Sequence, residues 1–172
     1  MKSCDRESAA RLGRRRGSVS ATKEGLQKLL EFFLYGMLRT SESLGNVELF
    51  LRRVEEEGLR KFMIVNMPKF MGSASAADAC KAYTREADAE GLFEGSDTSF
   101  REDGGTIRAD IDARCTYRRV CTLRHDEGLP IHCIRAYGLA EMLRIRLDAH
   151  YDWTLEAFGL PCRIRMTQTP WR

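Results

Sequence analysis

Six cysteines are the residues of this 172-residue sequence most able to do chemistry, and three of them, Cys115, Cys121 and Cys133, lie close together along the chain. A thiolate can attack an electrophilic carbon or bind a metal ion. The sequence has no C-x-x-C pair, and its cysteine intervals match no zinc-finger spacing. Free cysteine is also a small, commonly buried hydrophobe, so core packing is a sufficient explanation for any single one. A chemical role therefore requires several cysteines to meet in the tertiary structure.

Hydrophobic phase predicts where three of the cysteines point. Residues 106–115 alternate between apolar and polar, which predicts a half-buried strand with Cys115 facing the core at its end. Cys162 opens another strand in phase with its inward side, and Cys133 lies in the predicted first turn of a helix. If that helix packs on the sheet, its first turn covers the ends of both strands. We therefore expect Cys115, Cys133 and Cys162 to converge on one pocket, with His132 at its edge.

The elements that must position these residues follow from hydrophobic periodicity, capping residues and turns. Helices are predicted over 24–40, from 47 until Pro68 ends or kinks the chain, over 75–91, and over 130–147 with Pro130 in the first turn. Strands are predicted over 98–102, 106–115, 151–157 and 162–167, and the polar stretch 121–128 is expected to be a loop. The fold class is α+β, with N-terminal helices packed on a mostly antiparallel sheet and one helix inserted between two C-terminal hairpins.

The chain is expected to divide into an arm and one domain. Residues 1–22 are polar and basic and predict a flexible arm, whereas 23–172 predict a single α+β domain with a helical part, 23–91, and a sheet-containing part, 92–172. The arm has no apolar segment of the kind a secretory signal needs, and no window has the roughly 18 apolar residues of a membrane span. We therefore expect a cytoplasmic protein with free thiols or metal-bound cysteines rather than disulfides.

Charge and the absence of phosphate-binding motifs narrow the partners. The 28 Lys and Arg against 25 Asp and Glu give a net charge of +3, which argues against a polyanion as the main partner. Neither G-x-x-x-x-G-K-[ST] nor G-x-G-x-x-G occurs. We expect a small-molecule ligand or substrate, no nucleic acid and no membrane, and we leave a homo-oligomer open.

Three short motifs in the C-terminal half carry a family resemblance. They are Cys115-Thr-Tyr-Arg-Arg, then Gly128-Leu-Pro-Ile-His-Cys133 before a helix with Tyr137-Gly138, and finally Gly159-Leu-Pro-Cys162-Arg-Ile164. In this order they resemble the L-2-amino-thiazoline-4-carboxylate hydrolase-like proteins and the related 4-vinyl reductase, or hydrocarbon-binding, domain. The likeness is good over about 115–166. It implies a functional Cys115, Cys133 and Cys162 around a small-molecule pocket.

One departure from the family bears on the metal. Zinc-holding members of the hydrocarbon-binding group use E-x-x-C on the penultimate strand, whereas here Glu156 is followed three residues later by Gly159. The resemblance therefore implies zinc or another divalent metal on Cys115, Cys133 and Cys162, but with one family ligand missing.

Two function classes follow. The first is a hydrolase that opens a small cyclic C–N/C–S substrate, with Cys133, His132 and Cys115 as catalytic residues. Cys133 near a helix N-terminus is expected to have a lowered pKa, and the substrate would be bound by Tyr137, Arg118, Arg119, Arg135 and Trp153. The second is a non-catalytic sensor with a structural metal, whose apolar pocket is lined by Tyr137, Leu139, Trp153 and Phe158.

Overall fold

The computed structural model describes residues 23–70, 75–91 and 98–170, with side chains throughout except at 23–24 and 62–70. The predicted basic arm, 1–22, lies outside the described residues, as do the side chains of Phe62 and Val65. The described elements are α1 (Lys23–Ser43), α2 (Val47–Phe70), α3 (Ala76–Ala89), β1 (Thr98–Asp103), β2 (Thr106–Ile111), α4 (Arg118–Asp126), α5 (Ile134–Leu147), β3 (His150–Ala157) and β4 (Cys162–Thr169). The α+β prediction is confirmed.

The four strands form one antiparallel sheet in the order β1-β2-β4-β3. Ala109 of β2 lies between Phe100 of β1 and Ile164 of β4, and Leu155 of β3 pairs with Ile164 on the other side. Both predicted hairpins are present. The turn between β1 and β2 requires glycine, because Gly104 and Gly105 have φ values of 54° and 77°.

Helix α5 is the centre of the main core. Its residues Ala136, Leu139 and Leu143 are fully buried, and the helix packs against α2, α3 and β3. A second, smaller core joins α1, α2, α4 and α5 through Leu38, Leu51, Val120 and Ile134. Helix α5 therefore joins the N-terminal helices to the C-terminal hairpin.

The helix α3 begins and ends as its sequence predicts. Ser75 caps the helix by accepting a hydrogen bond from the Asp78 backbone N–H at 3.1 Å, and Gly91 follows its end with a φ of 73°. Helix α2 continues two residues past Pro68, which lies in the last turn, so the proline does not itself end the helix.

The strand predicted over 106–115 is too long. β2 stops at Ile111, because Asp112 accepts a hydrogen bond from the Arg114 backbone N–H at 2.9 Å in a turn that leaves the ladder. Cys115 consequently lies in the connection to α4 and not at the end of a strand.

The loop predicted over 121–128 is wrong, because α4 covers most of this stretch. The next helix also begins later than predicted. The backbone after α4 folds back on it, since Leu129 N–H donates to Arg124 O at 2.8 Å. The Arg124 side chain then donates to the Pro130 carbonyl. Helix α5 therefore begins at Ile134, with Cys133 as its N-cap residue, and Pro130 belongs to the preceding connection.

The apolar face predicted for α1 is only partly used. Leu38 is fully buried and Leu34 packs beside it, whereas Leu26, Leu29, Leu30 and Phe33 near the start of the helix are exposed. A search of the described helices finds none long and apolar enough to span a bilayer.

Candidate functional site

A cleft of about 840 Å³ opens between α2, α5 and β3. Its volume lies within the range of small-molecule sites, roughly 300–1,000 Å³. The cleft is bordered by charged residues of α2, by Tyr137, Glu141 and Arg144 of α5, and by the start of β3 with Trp153. The cleft is formed where α5 packs against α2 and β3, so no local sequence motif marks it.

An aromatic pair forms one wall of the cleft. The rings of Tyr137 and Trp153 meet edge to face, with centroids 4.8 Å apart and an interplanar angle of 81°. Such a pair is rigid and presents flat apolar surface to a ligand. Both residues were predicted to bind a ligand, and both line this cleft.

Ion pairs neutralise most of the charge in the cleft. Arg52 binds Glu48 at 3.3 Å and Arg53 binds Glu56 at 3.1 Å along α2. On α5, Arg144 donates to Glu141 at 2.8 Å. These arginines therefore have carboxylate partners on the protein.

Glu55 differs from these carboxylates. Burial, and then the negative charge of Glu141, raise the pKa of Glu55 from 4.5 to about 7. Its carboxyl faces α5 at Gly138, where a Cβ atom would lie 3.3 Å from Glu55 Oε2 and 3.5 Å from the Tyr83 hydroxyl. The absence of a side chain at Gly138 thus makes room for the Glu55 carboxyl. Near neutral pH this carboxyl exchanges between its protonated and charged forms.

The cysteine at the start of α5 is not an activated thiol. Cys133 is 8% exposed, and burial raises its pKa strongly, which is opposite to the lowering expected from a helix N-terminus. Charge on Cys121, Cys115 or Cys162 would raise the pKa of Cys133 further. These thiols therefore lie within electrostatic reach of Cys133.

Cys121 is a member of this group that sequence reasoning missed. It was assigned to a loop, whereas helix α4 turns it inward, and burial raises its pKa to about 12. The charges of Cys115 and Cys162 contribute to the same rise. The apolar spacing of Val120 alone was too weak a signal to reveal the helix.

Arg118 contacts the sulfur of Cys162. Its Nη1 atom donates to Cys162 Sγ at 2.9 Å and to the Gly159 carbonyl at 2.6 Å, and its guanidinium carbon lies 4.5 Å from the centre of the Phe158 ring. Cys162 is partly exposed. A cation beside a partly exposed sulfur is the environment in which reactive cysteines occur.

The other predicted site residues lie in different places. His132 Nε2 lies 3.2 Å from Glu42 Oε1 of α1. Arg119 pairs with Glu31 at 3.4 Å, and Arg135, 2% exposed, donates from Nη2 to Thr98 at 3.1 Å. The three arginines predicted as substrate-binding residues thus have partners on three different elements.

Of the four residues predicted to line an apolar pocket, two reach the cleft. Tyr137 and Trp153 line it, whereas Leu139 is fully buried in the core and Phe158 stacks under Arg118. Glu55 and Glu141, which also line the cleft, were not predicted as site residues.

Among residues 23–70, 75–91 and 98–170, no group of three or more His, Cys, Asp or Glu is arranged to hold a metal ion. The metal on Cys115, Cys133 and Cys162 therefore stays a prediction.

Comparison of the sequence with protein-family models and with curated proteins gave no match.

Proposed function

We propose that this protein is a small-molecule-binding domain whose ligand occupies the cleft between α2, α5 and β3. The observation that carries the proposal is Glu55, a partly buried carboxyl with a pKa of about 7 in a cleft of about 840 Å³. Burying a carboxyl costs free energy unless it gains a partner. A protonated nitrogen of a ligand would supply that partner.

The aromatic pair Tyr137 and Trp153 indicates that the ligand also carries a flat apolar group. Tyr137 and Trp153 offer flat apolar surface on the β3 side of the cleft, within the same site as Glu55. The arginines around them are occupied by Glu48, Glu56 and Glu141. The ligand class is therefore a small organic cation with a flat apolar group, rather than an anion.

Three phenyl compounds of similar size but different charge test this proposal. We expect 2-phenylethylammonium to raise the melting temperature and quench Trp153 fluorescence, and 2-phenylethanol and 3-phenylpropionate to do so less. Because the cation binds the charged form of Glu55, its affinity should fall by about tenfold per pH unit below about pH 7.

A matched pair of variants locates the effect. Glu55→Gln should abolish the preference for the cation and its pH dependence, whereas Glu57→Gln, at an exposed position of the same helix, should retain both. Equal binding of all three compounds, or an unchanged preference in Glu55→Gln, would disprove the proposal.

A hydrolase is the second candidate, and the contact of Arg118 with Cys162 favours it. The cysteine thiolate would add to the C=N carbon of a thiazoline ring, the ring bond to that carbon would break as its departing atom takes a proton, and water would release the product from sulfur. Cys162 is a better candidate nucleophile here than Cys133, because burial raises the pKa of Cys133.

Turnover of 2-amino-thiazoline-4-carboxylate tests the hydrolase. We expect Cys162→Ala to lose activity and Cys133→Ala to retain part of it. Metal content measured on the same protein tests the predicted zinc or other divalent ion. If the wild-type protein is inactive, the hydrolase is disproved and ligand binding is the remaining proposal.

A further inference from the structure

The first half of α1 presents an apolar surface to solvent. Leu26, Leu29, Leu30 and Phe33 are each between 55% and 66% exposed. Farther along the helix, Leu34 and Leu38 pack against the molecule. The fold therefore buries the end of the apolar face of α1 and leaves its beginning exposed.

The spacing of the exposed side suits another helix. Leu26, Leu30, Phe33 and Met37 follow one another at intervals of four, three and four residues. This is the 3.5-residue period of a coiled-coil seam, in which side chains of one helix fit between those of a second. The residues Leu26, Leu30, Phe33 and Met37 are called the α1 seam below.

We propose that two copies of this chain pair through the α1 seam, with the two helices antiparallel. An antiparallel pair has two-fold symmetry, so each seam faces its own copy. A parallel pair would set the two helix dipoles in the same direction, with like partial charges side by side at each end. The antiparallel arrangement sets the dipoles in opposite directions.

The apolar area available is enough for a stable dimer. The exposed parts of Leu26, Leu29, Leu30, Phe32 and Phe33 amount to roughly 600 Å² per copy, if a full side chain of this kind has roughly 150–250 Å². Two copies would bury about 1,200 Å², the lower end of specific interfaces. A patch of this size is at the upper limit of what monomers expose, about 300–600 Å².

Other occupants of the seam are less suitable. Residues 1–22 contain only Met1, Leu12 and Val19 as large apolar residues, which is too little to cover it. An anionic membrane would attract the basic residues of this segment, but a flat lipid surface does not select a 3.5-residue period. A third alternative is the stretch 62–70 of α2, which is apolar in sequence. The melting temperature of Leu30→Lys distinguishes this internal contact from a second copy.

Light scattering of the full chain across about a hundredfold range of concentration tests the pairing. The mass of the wild-type protein should approach twice 19.6 kDa as concentration rises. Leu30→Lys places like charges at the centre of the pair and should raise the dissociation constant by at least about a hundredfold. Leu160→Lys, at a position 71% exposed in the turn between β3 and β4, should leave the dissociation constant unchanged.

Cysteine cross-linking tests the direction. A Leu26→Cys chain mixed with a Met37→Cys chain should cross-link, compared with wild-type protein as the control for native thiols, and Leu26→Cys should not cross-link with itself. Self-cross-linking of Leu26→Cys would overturn the antiparallel arrangement.

Three results would overturn the dimer itself. One is a monomer at every concentration. The second is a monomeric wild-type protein and a Leu30→Lys variant that melts at a lower temperature under dilute conditions. This result would assign the seam to the chain's own residues 62–70. The third is a monomer that sediments with vesicles of phosphatidylcholine and phosphatidylserine, which would assign the seam to lipid.

Discussion

Residues of one type have opposite ionisation behaviour in this molecule, because their partners differ. The Arg124 guanidinium hydrogen-bonds to Glu42 and holds the pKa of that carboxyl below 4.5. Burial raises the pKa of Glu55 to about 7. The surroundings of the cysteines also differ, since burial raises the pKa of Cys133 whereas the Cys162 sulfur accepts a hydrogen bond from Arg118. The environment of each side chain, and not its type, therefore decides what chemistry it can do.

The order in which the native thiols react is a prediction at this scale. A short pulse of iodoacetamide near neutral pH, followed by peptide mapping, should label Cys162 before Cys133 and Cys80. Cys80 is fully buried and Cys133 is 8% exposed, and burial raises both of their pKa values. Denaturant should remove the difference. Equal labelling of Cys133 and Cys162 in the native protein would contradict it.

At the scale of elements, sequence reasoning succeeded where a local signal decides the structure. Helix α3 has a Ser75 cap and a terminal Gly91, and the turn between β1 and β2 has two glycines with positive φ. These features act within a few residues, so the sequence reveals them directly. The C-terminal hairpin was predicted for the same reason, from two alternating stretches around Gly159 and Pro161.

Helix α4 could not be predicted, because tertiary contacts stabilise it. Most of its residues are polar, and only Val120 and Arg124 among them are buried. Arg124 is 1% exposed, donates to Pro130 O at 2.8 Å and hydrogen-bonds to Glu42 of α1. An arginine in a polar stretch normally indicates solvent, so the sequence gives no sign of these contacts.

Part of the candidate site could also be predicted from the sequence, and part could not. Tyr137 and Trp153 were predicted as ligand contacts, since aromatic residues in phase with a core commonly border pockets. Glu55 was missed because it stands in the acidic run Glu55 to Glu57, which is typical of a solvated helix face. Only the packing of α5 across α2, with Gly138 at the crossing, buries its carboxyl.

The contacts of Arg124 lead to a prediction about stability. Arg124→Gln should lower the free energy of unfolding by about 3 kcal/mol, because it removes the guanidinium from a buried ion pair and leaves Glu42 without that partner. Arg114→Gln should lower it by less than about 1 kcal/mol, since Arg114 is 58% exposed and pairs with Asp112 on the surface. Urea denaturation of both variants measures the difference. Similar losses in the two variants would show that α4 is not anchored by Arg124.

For the whole molecule, α5 is the element that the cleft and the thiol group share. Its N-cap residue Cys133 lies near the other thiols, and its middle, Tyr137 to Glu141, borders the cleft. The two regions are thus joined by one rigid helix, with the cleft toward α2 and the thiols toward α4.

The carboxyls of Glu55 and Glu42 have pKa shifts of opposite direction, and together they favour a stability maximum at acidic pH. Glu55 has a higher pKa folded than unfolded, so the folded protein binds more protons between about pH 4.5 and 7, and stability falls as pH rises through this window. With about 1.4 kcal/mol per pKa unit the loss is about 3 kcal/mol. Glu42 has a lowered folded pKa, so stability also falls as pH drops below about 4.5.

We therefore expect maximal stability near about pH 5, although a chain with a net charge of +3 at pH 7 would by charge repulsion alone be most stable above neutrality. Urea midpoints measured between pH 3 and 9 check this expectation. Glu55→Gln should remove the decline between pH 5 and 7 and be more stable than wild type at pH 8, because an amide has no charge to bury, whereas Glu57→Gln should keep the decline. A wild-type maximum above pH 7, or parallel profiles for Glu55→Gln and wild type, would mean that the Glu55 carboxyl is solvated and that the cleft lacks the buried acid on which cation binding depends.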